Sequence, residues 1–186
     1  MSSLQDKLSN LATMIEKTSH WSGRVVSWLT LLMVVLVFIV VVLRYLFEIG
    51  SIPLQESITY LHAMVFLLGA TYTLHQDEHV RVDVFYSSLS HKGRAWIDLA
   101  GTLFLLFPVC LYIFTMSLDY VLLSWRIHES SSEAGGLPGL YLLKSLILIM
   151  PVTMMIQGLA NILRYILFLF DNGKSPYSKN EIEVNI

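Results

Sequence analysis

Between Arg24 and Arg44 the chain reads VVSWLTLLMVVLVFIVVVL, residues 25–43, without one charged side chain. As a helix that run rises about 28 Å, close to the thickness of a hydrocarbon core. Backbone amides find no water in lipid, so a segment of this kind satisfies them internally, as a helix. Three further stretches repeat the pattern. Ser57 to Gln76 is uncharged between Glu56 and Asp77, Leu99 to Leu118 between Asp98 and Asp119, and Ser145 to Leu163 between Lys144 and Arg164. Four transmembrane helices follow, and the fold class is an all-α membrane protein. The whole chain agrees. Of its 186 residues 55% are hydrophobic and 14% charged, against about 25% charged in a soluble domain. Mean hydropathy is +0.63. A water-soluble fold of this size would leave too much of that apolar surface outside.

Composition excludes several functions. A net charge of −2, with twelve basic residues scattered along the chain, does not make a nucleic-acid binder. Cys110 is the single cysteine, so there is no disulfide framework, no cysteine metal site and no dithiol chemistry within the chain. No phosphate-binding loop, nucleophilic triad or acid–base pair is present, and the chain is not expected to be an enzyme or to hold a cofactor.

Three regions are expected: an amphipathic helix at 1–22, a four-helix transmembrane domain at 23–170, and a polar tail at 171–186. The spans fall near 25–47, 54–76, 98–119 and 138–165. In the first region Leu4, Leu8, Leu11 and Ile15 recur at helical spacing, which suits a helix lying in the membrane interface with Trp21 at headgroup level. The first span has a long leader and no small-x-small cleavage site behind it, so it is expected to stay as an anchor. The segment 75–98 mixes charge with apolar residues. Alternation in Val80-Arg81-Val82-Asp83-Val84 fits a strand and competes with a helix. Gly135, Gly136 and Pro138 mark a turn before the last span.

Orientation follows from the basic residues. Lys7, Lys17, Arg24, Arg81, Lys92, Arg94, Arg164, Lys174 and Lys179 lie on one side, and Arg44, Arg126 and Lys144 on the other. Both termini are therefore expected in the cytoplasm. The outer side carries Glu48, Glu56, Asp119, Glu129 and Glu133, a mildly acidic surface.

Several features bear on chemistry. Arg44, Glu56 and Lys144 end three spans on the outer side and are expected to form a charge cluster, a clamp rather than a transport path, because no charge lies near mid-membrane. Glu56, Thr59, His62, Ala63, Phe66, Gly69, Ala70 and Thr73 make a small and polar stripe on the second span, suited to packing on protein. His62 is the histidine well inside a span. That leaves bis-histidine haem ligation without a second ligand, and suggests a helix–helix hydrogen bond instead. His75 and His79 stand four apart but lack a third ligand, so no metal is expected. The last span carries a second polar stripe, Gln157, Asn161 and Arg164. Pro108 and Pro151 fall within spans and are expected to bend them.

The second span and its exit read QESITYLHAMVFLLGATYTLHQDEHVRVD, residues 55–83. A glutamate at the start, Gly69-Ala70 late in the helix, and His79-x-x-Val82-Asp83 beyond it resemble the small membrane subunit, DctQ type, of tripartite ATP-independent periplasmic (TRAP) transporters. Arg44-Tyr45 at the end of the first span is similar as well. The resemblance covers about residues 20–170. It implies an accessory scaffold beside a large elevator-type subunit that holds the substrate and sodium sites, in a bacterial or archaeal inner membrane. It implies a second partner, a periplasmic substrate-binding protein that docks on the outer face. Small organic acids are the implied cargo. On this reading Arg44, Glu56, His62, Gly69, His79, Asp83 and Lys144 are structural or interface residues, and Glu129 and Glu133 contact the binding protein. The residues alone leave two other readings open: a membrane anchor of a redox complex using quinone or a shared haem, and a small self-sufficient transporter.

Overall fold

The computed structural model describes residues 2–76 and 89–171, and every regular element in them is helical. In chain order these are α1 (Ser2–Leu46), α2 (Ile52–His75), α3 (His91–Gly101), a π-helical turn (Thr102–Leu106), α4 (Phe107–Arg126) and α5 (Leu140–Asp171). Four helical runs are long and apolar enough to cross a membrane: Lys7–Leu46, Ile52–His75, His91–Arg126 and Leu140–Phe170. The stretch 77–88, with its strand-or-helix alternation, lies outside the described residues, as does most of the tail.

The N-terminal segment is helical, as its periodicity predicts, but it is not a helix of its own. It joins the first span in one 45-residue helix. No proline interrupts Ser2 to Leu46, and the single glycine there, Gly23, sits inside a helix contact. At 1.5 Å per residue α1 is about 68 Å long, more than twice a hydrocarbon core.

Pro108 produces a widened turn. A proline lacks an N–H and its ring collides with the carbonyl four residues back. The chain relieves this before the proline: the N–H of Phe107 donates to the carbonyl of Thr102, five residues back. Gly158 of α5 nests against this π turn. A Cβ there would come within 2.7 Å of Leu106 and 3.3 Å of Thr102. Pro151 lies inside α5 and is fully buried.

The hub of the bundle is α5. It packs against α1, α2 and α4, and its last turns against α3. Paired residues fix the directions. Thr71 meets Thr153 and Glu56 meets Leu137, so α2 and α5 run parallel. Gly23 meets Tyr72 and Glu16 meets Arg164, so α1 is antiparallel to both. Trp125 meets Ser145, so α4 is antiparallel to α5. The start of α1 and the end of α5 thus share one end, called here the terminal end. Glu56 and the segment 127–139 share the other, the loop end.

At the terminal end Ala95 and Leu99 of α3 pack on Ile162 and Tyr165 of α5, with Phe107, Phe168 and Leu169 around them. Elsewhere large apolar side chains point outward, among them Phe38, Phe104 and Tyr112. That is the pattern of a fold whose solvent is apolar.

Candidate functional site

At the loop end the expected three-charge cluster does not form; it separates into two clamps. One Glu56 carboxylate oxygen accepts from the Ser131 hydroxyl, and the other accepts from the Leu137 N–H at 2.6 Å. These are neutral donors on the segment that enters α5. The seat depends on Gly136, where a Cβ would come within 2.9 Å of the Glu56 carboxylate. The loop closes on itself, with the Ser131 N–H donating to the Leu137 carbonyl at 3.1 Å. Backbone and hydroxyl dipoles thus do what a cation was expected to do.

Lys144 has a different partner. Its ammonium donates to Glu129 at 2.5 Å and lies 4.1 Å from the centre of the Tyr120 ring. The ammonium beside Glu129 holds that carboxyl below its ordinary value of 4.5. Arg44 is exposed at the end of α1, with neither carboxylate within ion-pair distance. Glu133 is exposed on the same loop. Sequence reasoning missed Ser131, Leu137 and Glu129 as partners, because three span ends at equal depth suggested contact that the helix arrangement does not give.

The larger polar cluster lies at the terminal end. Gln157 is fully buried. Its amide oxygen accepts from the Ser19 hydroxyl at 2.5 Å, and its amide nitrogen donates to Asn161 at 2.9 Å and stands 3.5 Å from His75. His20 adds edge-to-face contacts with Tyr72 and His75 at 6.0 and 5.4 Å. One helical turn further out, Arg164 grips both oxygens of Glu16 at 2.9 Å and donates to Thr13 at 3.0 Å. The polar stripe Gln157–Asn161–Arg164 signalled half of this cluster. The apolar stripe of residues 1–22 gave no sign of the other half, Thr13, Glu16, Ser19 and His20.

The face of α1 that packs is in fact the small one. Ala12, Ser19 and Gly23 are buried while Leu11 and Met14 are exposed. Small residues let backbones approach, and polar ones bond across helices. Gly23 shows this most clearly: a Cβ there would overlap the Tyr72 ring.

The stripe on α2 divides between two surroundings. Leu61 and Thr71 face the bundle and are buried, and a Cβ at Gly69 would meet Val26 of α1 at an ordinary 3.6 Å. Thr59, His62 and Phe66 face outward. His62 stacks near Phe66, with centroids 6.4 Å apart, and makes no hydrogen bond among the described residues. The expected helix–helix hydrogen bond of His62 is therefore not made among the described residues. His79 and Asp83 lie outside the described residues.

No curated protein and no solved structure matches this chain. A family model does, that of the DctQ component of tripartite ATP-independent periplasmic transporters, over residues 33–167. The match runs from the first span to the end of the last, the same four helices that the bundle is built from. Members of that family work with a large membrane subunit and a periplasmic binding protein. The chain belongs to the DctQ family and is the small membrane subunit of a TRAP transporter.

Proposed function

We propose that the chain is an immobile accessory scaffold which braces the large subunit of a sodium-driven importer of small organic acids. On this reading it sits in the inner membrane with both termini in the cytoplasm, as the basic residues suggest. The observation that carries the reading is His62. It stands near the middle of α2, faces outward, and has no hydrogen-bond partner among the described residues. A polar ring directed into lipid at that depth is costly, and intramembrane polar groups find protein partners. A neighbouring subunit seated on Thr59, His62 and Phe66 supplies one. The spans carry no charge near their middle, so the ion and substrate sites are assigned to the partner.

The loop end is the docking face for the periplasmic protein. Glu129 is occupied by Lys144, so on this loop Glu133 is the carboxylate left to meet a basic patch, with Glu129 and Glu56 holding the loop in shape.

Site-directed cross-linking tests the brace. In a Cys110→Ala background, cysteines replacing His62 or Phe66 are expected to cross-link to the large subunit in native membranes, and one replacing Phe38 on α1 is not. An intact complex in which neither α2 position gives an adduct sinks the assignment.

A further inference from the structure

We propose that Lys17, Trp21 and Arg24 on α1 form a headgroup site for an anionic phospholipid. The three residues stand at i, i+4 and i+7, which places them on one face of a continuous helix. That face is opposite the buried one of Ala12, Ser19 and Gly23, and all three side chains are exposed. Trp21 is 68% accessible, and Trp28 continues the stripe at the same exposure.

Depth follows from the helix pairing. His20 and Gly23 contact Tyr72 and His75 in the last turn of α2. That helix has 24 residues, or about 36 Å, so its last turn lies where a hydrocarbon core ends. Trp21 and Arg24 therefore sit at the headgroup level. Trp28 lies about 10 Å deeper, among acyl chains, and Lys17 about 6 Å further out. An indole at the acyl–headgroup boundary, with a guanidinium and an ammonium within one turn on either side, matches a phosphodiester above its lipid tails.

Charge supports the same occupant. From Lys7 to Phe47 the chain has one carboxylate, Glu16, and Arg164 holds both its oxygens. Neither Lys17 nor Arg24 has an ion-pair partner among the described residues. Two unneutralised cations at a bilayer surface attract an anionic lipid over a zwitterionic one.

The test uses the full chain in symmetric proteoliposomes, so that insertion direction does not matter. Trp28, Trp96 and Trp125 are each changed to phenylalanine, leaving Trp21 as the fluorophore. Quenching is compared between phosphatidylglycerol and phosphatidylcholine, each brominated high on the acyl chains, at equal mole fraction. Quenching is expected to be stronger with brominated phosphatidylglycerol and to weaken as salt rises. The preference should fall about fivefold for each charge removed in Lys17→Gln and Arg24→Gln, and survive in Lys17→Arg with Arg24→Lys. Equal quenching by the two lipids overturns the proposal. So does a preference that persists in the double glutamine variant, and so does a Trp21 that neither lipid reaches, which would mean that protein covers this face.

Discussion

A carboxylate at a span end needs hydrogen-bond donors, and Glu56 obtains them from Ser131 and Leu137 without a cation. Its spacing from Lys144 along the chain said nothing of this, because Lys144 turns to Glu129. Glu129 allows a prediction from linkage. Its carboxyl titrates below its ordinary value of 4.5, chiefly because Lys144 donates to it. A lowered folded-state value means stability that is present above the unfolded value and lost as pH falls through the folded one. The melting temperature of wild type should therefore exceed that of Glu129→Gln near neutral pH, and the gap should close as the solution is acidified through that lowered value. Melting curves of the detergent-solubilised chain across that range check this, and a gap that stays constant with pH counts against the ion pair. At this scale the sequence was a poor guide: it showed which residues needed partners and not which partners they take.

The helices themselves were legible. Each uncharged run of about 19–20 residues became part of a helix, because lipid leaves the backbone no other way to satisfy its amides. Their ends were less so. The first span and the amphipathic segment before it form one helix, since nothing between Ser2 and Leu46 breaks a helix except the tolerated Gly23. Pro108 is preceded by a π turn, into which Gly158 fits. Gly158→Ala would drive a methyl group against Leu106, Phe107 and Thr102. An overpacked contact of this kind costs about 1–3 kcal/mol. Thermal unfolding should show it as a lower midpoint with unchanged helix content, whereas a wild-type midpoint would mean that the π turn can yield.

The whole molecule is an assembly around α5 and not a symmetric bundle, with the extension of α1 tied to it by the Ser19–Gln157 hydrogen bond and by the grip of Arg164 on Glu16 and Thr13. Gln157 serves three helices at once through Ser19, His75 and Asn161. Gln157→Leu keeps the volume but leaves the buried Ser19 hydroxyl without its acceptor, a loss of about 1–3 kcal/mol. The extension should loosen first. Tryptic cleavage at Lys7 and Lys17 should quicken several-fold, with a lower melting temperature in detergent. If both stay at wild-type values, the network does not hold α1 in place.

The sequence by itself determined that this chain spans a membrane four times, because hydropathy and helix rise act locally and need no partner. It also carried the family, through the order of Glu56, Gly69-Ala70 and His79-x-x-Val82-Asp83. Only the tertiary structure decided which faces meet. It put Ala12, Ser19 and Gly23 inward and Leu11 outward, paired Glu56 with a loop and Lys144 with Glu129, and left His62 facing away from its own bundle. The reason is physical. Inside and outside are set here by close backbone approach and by hydrogen bonds between residues far apart in the chain, neither of which an apolar stripe reveals.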